Sequence, residues 1–417
     1  MDTLSSIPTY LLLFLTMYFE VFLLVTYFEE KDLFALSSAP KRKPGKYPTV
    51  TIVIPAWNEG ETLLGTVNSL LQLDYPKDRL KLFIVDDGST DNTLTVAETF
   101  RAHPQITIFS KANGGKYTAL NWGITNSESD LIGCLDADSF VDRMALKEII
   151  PYFDNPEVMA VTPSVQIHKP DNMLRRMQSA EYMIGQFTRK VFSRINGLYV
   201  TPGPFSIYRR KIFGEIGLFA HAYNTEDMEM ALRMQSNGMK IENAHDAFVY
   251  TTSPKNPRAL YKQRVRWVSG FLKNAFFNYR HMFLNKKYGN LGMLTMPFAF
   301  VSIFIALSFT VLYIKGLFHI GYEEYLKYSA LGFHFSLGWP HFRFDWFSLN
   351  LEFRNIVIYL LFFATLFFLF MGTRMTARRS LFSRDMLYFL ALYGLIAPFW
   401  LARSLFNLVT AKEANWR

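Results

Sequence analysis

The chain has 417 residues, of which 50% are hydrophobic and 17% aromatic, and it carries a formal net charge of +9. Its single cysteine excludes a disulfide bond and a cysteine-based zinc site within the monomer. The basic residues lie at the borders of apolar segments and do not form one patch with interleaved aromatics, so we expect no nucleic-acid partner.

Four apolar segments with few or no charges are predicted to cross a membrane. A helix of about 20 residues spans a hydrocarbon core of about 30 Å. The first segment lacks the basic start and the small-residue cleavage site of a signal peptide, so we expect a retained anchor, in which Glu20 faces another helix or a polar cavity. The segments are Ile7 to Phe28, Leu291 to Ile314, Ile356 to Met371 and Met386 to Val409.

Basic residues beside a span mark its cytoplasmic side. They follow the first span, precede the second and separate the third from the fourth, which predicts a multi-pass protein of the cell membrane with Pro44 to Gly289 in the cytoplasm. The side of the tail from Lys412 to Arg417 stays open, because a full last span would place it outside and a re-entrant segment around Pro398 would place it inside. The basic residues are Lys41, Arg42, Lys43, Lys46, Lys286, Lys287, Arg374, Arg378, Arg379 and Arg384.

Between the first two predicted spans, short apolar runs alternate with helical periodicity, as in Thr62 to Leu73. This alternation predicts an α/β fold with a mostly parallel sheet covered on both faces. In such sheets, ligands bind at the carboxyl ends of the strands. The predicted strands are Val50 to Pro55, Leu82 to Val85, Ile106 to Phe109 and Leu131 to Leu135.

Polar groups follow three of these strands: Trp57-Asn58-Glu59, Asp86-Asp87 and Asp136-Ala137-Asp138. Asp86 is a candidate to accept hydrogen bonds from a base or ribose, whereas Asp91 is expected only to cap a helix that begins at Asn92. If the chain stays extended after the fourth strand, Asp136 and Asp138 point to one side. Two carboxylates suit Mg or Mn on a diphosphate, although an isolated motif of this kind could be a surface turn.

Two further motifs have both a structural and a chemical interpretation. The glycines before Lys116 could cradle a phosphate at the start of a helix, and the pattern does not match an ATPase P-loop. Thr225 could be a helix N-cap followed by two acids that favour the helix dipole. The upstream diphosphate motifs favour a second role for this segment, with Asp227 as the general base for an acceptor hydroxyl.

A basic aromatic helix is predicted from Arg258 to Lys273, and this composition is typical of membrane-surface helices. In a functional interpretation, a sugar ring stacks on Trp267 and Arg266 neutralises a leaving diphosphate. Gln263 forms a hydrogen bond nearby. Met173 to Ile195 is a second amphipathic segment of this kind. The chain thus divides into an anchor with a basic linker (1–43), a cytoplasmic domain (44–255), an interfacial helix (256–289) and a C-terminal membrane region (290–417).

In their order and spacing between Val50 and Gly270, these motifs resemble the membrane-embedded family 2 glycosyltransferases, which include hyaluronan, chitin, cellulose and poly-N-acetylglucosamine synthases. The matching motifs are Pro55-Ala56-Trp57-Asn58-Glu59, Asp86-Asp87-Gly88-Ser89, Asp136-Ala137-Asp138, Thr225-Glu226-Asp227 and Gln263-Arg264-Val265-Arg266-Trp267. The resemblance implies a Rossmann-like GT-A domain, interfacial helices and about four transmembrane helices.

The resemblance also implies an activity, namely inverting, metal-dependent transfer from a UDP-sugar. Asp227 would be the catalytic base and Asp138 the ligand of Mg or Mn. Donor-binding residues would be Ala56, Glu59, Asp86, Lys116 and Asp136, and residues on the acceptor and diphosphate side would be Glu226, Gln263, Arg266 and Trp267.

The expected acceptor is a growing polysaccharide at the cytoplasmic membrane face, with processive addition and coupled export. Because four spans make a narrow monomeric channel doubtful, an oligomer or accessory subunit could complete the export path. The alternative is transfer of one sugar to a membrane lipid, such as a diacylglycerol or polyprenyl phosphate. A degenerate, non-enzymatic scaffold is disfavoured because Asp86, Asp138 and Asp227 are all present. The motifs do not identify the sugar.

Overall fold

The computed structural model describes residues 3–29, 47–332, 351–376 and 383–410. The chain forms two compact units, one of Met1–Phe22 with Phe298–Phe367 and one of Leu23–Pro297 with Phe368–Arg417. Several basic residues used to predict the orientation lie outside the described residues, as does the tail whose side was left open. They are Lys41, Arg42, Lys43, Lys46, Arg378, Arg379 and Lys412 to Arg417.

The second unit contains an eight-stranded sheet in the order β3-β2-β1-β4-β7-β6-β8-β5. Neighbours among β1 to β4 pair in parallel, as do β6 and β8, so the predicted mostly parallel α/β sheet is confirmed. β7 runs antiparallel to β4 and β6, and β5 runs antiparallel to β8. The strands are β1 (Val50–Ala56), β2 (Leu80–Asp86), β3 (Ile106–Ser110), β4 (Leu131–Cys134), β5 (Ser139–Val141), β6 (Val158–Ile167), β7 (Ser206–Arg209) and β8 (Lys240–Thr251).

The helices of the second unit that cover or follow the sheet vary in length from about one turn to about six turns. α3 begins at Thr93, one residue later than predicted, and Asp91 accepts the Thr93 N–H at 2.9 Å from the position before the N-cap residue Asn92. The helices are α2 (Leu63–Leu71), α3 (Thr93–Glu98), α4 (Lys116–Thr125), α5 (Ala145–Ile149), α6 (Met173–Arg194), α7 (Lys211–Glu215), α8 (Glu226–Ser236) and α9 (Pro257–Lys273).

The first strands of the sheet are buried on both faces because helices cover both sides. Ile52 and Ile54 of β1 are fully buried, and so is Ile84 of β2. A Cβ atom on Gly123 would lie 2.5 Å from Val53, so α4 approaches β1 at a distance that only glycine allows. This close packing brings the first residue of α4, Lys116, to the carboxyl ends of the strands.

Four helices in the described part of the chain are long and apolar enough to cross a membrane, at Ile7–Glu29, Leu291–Ala330, Phe353–Arg374 and Arg384–Val409. They correspond to α1 (Thr3–Glu29), α10 (Met296–Leu331), α11 (Phe353–Arg374) and α12 (Arg384–Val409).

Two of these helices, α10 and α12, can be compared with the predicted length and continuity of the spans. α10 continues beyond the predicted end at Ile314, and its 36 residues make it about 54 Å long, which exceeds a hydrocarbon core of about 30 Å. α12 is continuous through Pro398. Within the first unit, Glu20 of α1 accepts a hydrogen bond from the Thr365 hydroxyl of α11 at 3.2 Å, so this acid faces another helix as expected.

The two amphipathic helices α6 and α9 pack against α12 within the second unit. An apolar cluster joins them, and Asp385 of α12 pairs with Arg176 of α6 at 3.2 Å. Near the other end of α12, the amide of Asn407 donates to Ser269 of α9 at 3.3 Å. The last candidate span is therefore part of the same core as the helix that carries the Gln263 to Trp267 motif. The cluster contains Met177, Leu260, Val265, Ala397 and Trp400.

Candidate functional site

The first two strands end side by side, and their last residues, Ala56 and Asp86, are direct partners in the sheet register. Asp86 is 2% exposed, and its carboxylate accepts the Ser89 N–H and the Ser110 hydroxyl, each at 3.3 Å. These contacts fix the orientation of a buried acid at the edge where an α/β sheet binds its ligand. The structure thus places two predicted donor-binding residues, Ala56 and Asp86, next to each other at the ends of β1 and β2.

Asp87, which the sequence analysis did not assign, organises the following loop. Its carboxylate accepts the backbone N–H groups of Gly114 and Gly115 at 3.1 and 2.8 Å and pairs with Lys111 at 2.5 Å. The amide groups predicted to cradle a phosphate are therefore already used by Asp87, and that expectation is wrong. The adjacent acids are visible in the sequence, but the partners of Asp87 come from a separate loop.

Lys116 lies at the centre of a charged cluster. Its ammonium is 2.6 Å from Asp136 and 3.0 Å from Glu226. Although burial opposes the charge, the carboxylates of Asp136, Glu226 and Asp227 hold the pKa of Lys116 well above its usual value. A Cβ atom on Gly203 would lie 2.7 Å from the ammonium, so the loop before β7 closes over this cluster.

Asp136, Ala137 and Asp138 form a turn and do not extend β4, which ends at Cys134. The Ser139 N–H donates to the Asp136 carbonyl at 3.0 Å, so the prediction from strand alternation is wrong in its geometry. Asp138 is held by the hydroxyls of Thr252 at 3.0 Å and Ser139 at 3.1 Å. Burial, followed by the negative charges of Asp136 and Glu59, raises the pKa of Asp138 to about 6.

Glu59 contributes to this acidic region from the loop after β1. Its side chain accepts the Thr62 hydroxyl at 2.9 Å, and its backbone N–H donates to the Thr93 hydroxyl at 2.8 Å.

Among the described residues, no group of three or more His, Cys, Asp or Glu side chains is placed to hold a metal ion. Mg and Mn commonly use one or two carboxylates together with substrate phosphates, and a cation beside Asp138 would offset both the burial and the negative charges that raise the pKa of this acid. The acids present therefore fit such an ion.

Asp227 lies in the first turn of α8, directly after the N-cap residue Thr225 and Glu226. Its carboxylate accepts the Gly203 N–H at 3.2 Å, and its carbonyl accepts the Thr201 hydroxyl at 2.7 Å. Burial, followed by the charge of Glu226, raises the pKa of Asp227 to about 6.

The pKa of Glu226 is shifted in the opposite direction. Burial opposes the charge of this acid, yet Lys116 holds its pKa below the usual value. Two neighbouring acids with pKa values pushed apart are a common basis for dividing acid–base roles.

Arg264, to which the sequence analysis gave no role, contacts both Gln263 and Trp267 of the same motif. This buried guanidinium pairs with Glu181 of α6 at 2.7 Å and donates to Gln263 at 2.9 Å. It also lies 4.3 Å from the centre of the Trp267 ring. Glu181 belongs to no motif, so only the packing of α6 against α9 reveals this role.

Arg266 projects from the same helix towards the start of α8. Its guanidinium donates to the Asn224 carbonyl at 3.1 Å, and its charge helps to lower the pKa of Glu226. Lys116, Asp136, Glu226 and Asp227 thus form one cluster, and Arg266 lies near Glu226. Gln263 and Trp267 contact Arg264.

Comparisons with known proteins identify relatives of this chain. The chain is 28% identical over 261 residues to the poly-beta-1,6-N-acetyl-D-glucosamine synthase of Staphylococcus aureus (strain COL), covering 62% of this chain and 63% of that protein. The Staphylococcus epidermidis protein of the same name is 28% identical over 262 residues, with the same coverage. The matched stretch thus spans less than two thirds of these relatives.

A solved structure has a similar fold: the mannosyltransferase PcManGT from Pyrobaculum calidifontis, in complex with GDP-Man and Mn²⁺. It is 17% identical and covers 96% of this chain and 99% of its own, with a TM-score of 0.55. This likeness supports the predicted Rossmann-like GT-A fold. The model of the family described as "Glycosyltransferase like family 2" matches residues 48–270, which is more than half of the chain. The protein therefore belongs to glycosyltransferase family 2, as its motifs predict.

Proposed function

We propose that the protein transfers a sugar from a UDP-sugar, with inversion, to a growing polysaccharide at the cytoplasmic face of the cell membrane. The observation that carries this proposal is the position of Asp227, a partly buried acid with a raised pKa in one cluster with Lys116, Asp136 and Glu226. The names of the staphylococcal relatives support a polysaccharide product.

In the proposed reaction, Asp227 removes the proton from an acceptor hydroxyl. The acceptor oxygen then forms a bond to the anomeric carbon while the bond from that carbon to the UDP oxygen breaks. Lys116 and Arg266 offset the negative charge of the departing diphosphate. A base with a pKa near 6 is largely ionised at neutral pH and is still basic enough to assist the attack. Ala56, Glu59 and Asp86 hold the donor at the strand ends.

We place Mg or Mn at Asp138, with Asp136 next to it. When bound, such an ion supplies Lewis-acid stabilisation of the diphosphate. Asp138 is already held by the hydroxyls of Thr252 and Ser139, so its carboxylate needs little reorganisation to bind a cation. Asp136 also contacts Lys116, which keeps the ammonium beside the phosphate end of the donor.

The acceptor is proposed to stack on Trp267 beside Gln263, and addition is proposed to be processive with coupled export. The packing of α9 on α12 supports this part of the proposal, because it joins the acceptor helix to a candidate span. Basic residues that precede α10 favour a cytoplasmic catalytic domain. An oligomer or accessory subunit would complete the export path.

The decisive experiment uses the full chain in lipid nanodiscs with a panel of UDP-sugars and sizes the products by gel filtration and mass spectrometry. A polymer from one donor supports the proposal. A single sugar attached to a lipid would replace it with the non-processive alternative. If no donor is consumed, either by transfer or by hydrolysis, the enzymatic proposal is overturned.

A further inference from the structure

Three consecutive residues before Thr225 have a left-handed backbone, and none of them is glycine. The φ angles of Ala222, Tyr223 and Asn224 are 46°, 55° and 62°. This region is unfavourable for residues with a Cβ atom, and such conformations persist where the surroundings hold them in place. We call residues 222–224 the left-handed turn. Because α8 begins at Glu226, this turn determines where Glu226 and Asp227 enter the site.

Asn274 holds the turn from the end of α9. It is fully buried, and its amide nitrogen lies 3.1 Å from both the Ala222 carbonyl and the Thr225 hydroxyl. The amide oxygen accepts a hydrogen bond from Asn278 at 3.0 Å, which fixes the direction in which the nitrogen points. The Thr225 hydroxyl in turn donates to the Ala222 carbonyl at 2.9 Å, so the turn is closed at both of its ends.

The shape of α9 is adapted to this contact. Asn274–Asn278 forms a π-helical turn, in which the Tyr279 N–H donates to the Asn274 carbonyl at 2.9 Å. Such insertions are frequent at functional sites. A Cβ atom on Gly270, one helical turn earlier, would lie 2.4 Å from Thr225. Glycine at that position therefore lets α9 approach the left-handed turn closely enough for Asn274 to reach it.

The left-handed turn also borders open space. A cavity of about 340 Å³ borders it and is lined in part by His221, Tyr223 and Glu229. The His221 ring packs edge-on against Tyr117, the neighbour of Lys116, at 5.7 Å between ring centres. The segment therefore contacts both α4, through His221, and the end of α9, through Asn274, and it borders a cavity.

We propose that Asn274 is a positioning residue for the transfer reaction: by holding the left-handed turn, it keeps Asp227 in the orientation required of the base. This inference rests on the proposed function, because it takes Asp227 to be that base. Asn274 acts through the turn and through Thr225. The loss of its amide is therefore expected to lower turnover while leaving the binding of the donor intact.

The test compares Asn274→Asp with wild type in nanodiscs. The variant keeps the size of the side chain but replaces the donating nitrogen with an acceptor that faces the Ala222 carbonyl. We expect kcat to fall by about 10²-fold, as for other small misplacements of a catalytic group, with the KM for the UDP-sugar unchanged. Asn126→Asp, the same change at an exposed helix end, is the matched control and should retain wild-type kcat.

Rescue distinguishes positioning from a general loss of structure. Glycine enters the left-handed region without a Cβ penalty, so adding Ala222→Gly to Asn274→Asp should restore kcat about tenfold. If Asn274→Asp does not fold, as judged by lost UDP binding, Gly270→Ala displaces the same turn from another residue and should show the same selective loss of kcat. Wild-type kcat in the folded variant tested, or an Ala222→Gly double variant that binds UDP without recovering activity, would overturn the inference.

Asp227→Asn, measured in parallel, separates this inference from the proposed function. If Asp227→Asn is inactive while Asn274→Asp turns over normally, only the positioning role is overturned. If Asp227→Asn itself turns over normally, the assignment of the base is wrong and the positioning role is overturned with it.

Discussion

The ammonium of Lys116 lies 3.0 Å from the carboxylate of Glu226. This contact holds the pKa of the buried Glu226 below its usual value, whereas burial, followed by the charge of Glu226, raises the pKa of the next residue, Asp227, to about 6. The pKa values of two adjacent acids are thus shifted in opposite directions. The chemical difference between them is the basis of the first two predictions.

Asp227→Asn should abolish sugar transfer and leave UDP binding nearly intact. The amide cannot accept the acceptor proton, and loss of a general base typically lowers the rate by about 10²–10⁴-fold. Turnover and UDP affinity of the purified variant check this, with Asp154→Asn, an exposed acid, as the control. Wild-type turnover by Asp227→Asn would remove Asp227 from the mechanism.

The activity of the wild-type protein should decrease as the pH falls below about 6. The pKa of Asp227 is raised to about 6, so the base is ionised above this pH and becomes protonated below it. Each further unit of pH should then lower kcat/KM about tenfold. A pH–rate profile measured at constant ionic strength tests this, and constant activity down to pH 4 would contradict it.

Asp138→Ala should remove both activity and the response to added Mg or Mn. The remaining acids cannot hold the ion beside the diphosphate without this carboxylate. The measurement is a metal titration after treatment with EDTA, with Asp78→Ala, an exposed residue, as the control. Full wild-type activity in excess EDTA would show that the metal assignment is wrong.

Trp267→Ala should impair chain elongation more than it impairs hydrolysis of the donor. A whole aromatic side chain can bury about 150–250 Å², of which one ring face is available to stack on a sugar, and the donor residues are on other elements. Product length and the rate of UDP release are measured together, and exposed Trp122→Ala is the control. Glu181→Gln, which removes the carboxylate partner of Arg264, should give a weaker form of the same defect. Chains of normal length made at a normal rate by Trp267→Ala would leave the tryptophan only a membrane-surface role.

The fold was predictable from the sequence where local pattern decides it. The four parallel strands β1 to β4 follow from runs of β-branched and apolar residues, and the polar residues after them meet because the carboxyl ends of parallel strands share one edge. The antiparallel β7 between β4 and β6 was not predicted, because strand order depends on tertiary contacts. The turn at Asp136 to Asp138 was missed for a similar reason: its geometry is set by β5 pairing with β8, far along the chain.

The residue types of the candidate site were predictable from the sequence, but the contacts between these residues were not. Lys116, Asp136 and Glu226 each belong to a motif, whereas nothing in those motifs states that one ammonium joins two carboxylates. Arg264 illustrates the limit, because its partner Glu181 lies on another helix and in no motif. Such long-range pairs arise when helices pack, and local periodicity contains no information about them.

The packing of α12 on α6 and α9 has a consequence for biosynthesis. α12 is made after the whole family 2 domain, yet its Trp400 and Ala397 complete the apolar cluster beneath the helix that carries Trp267. Until the ribosome has released this helix, the apolar faces of α6 and α9 lack their covering partner. A fragment that ends at residue 270 would keep these faces exposed and would be prone to aggregate, so the solubility of the family 2 domain depends on a helix that is synthesised after it.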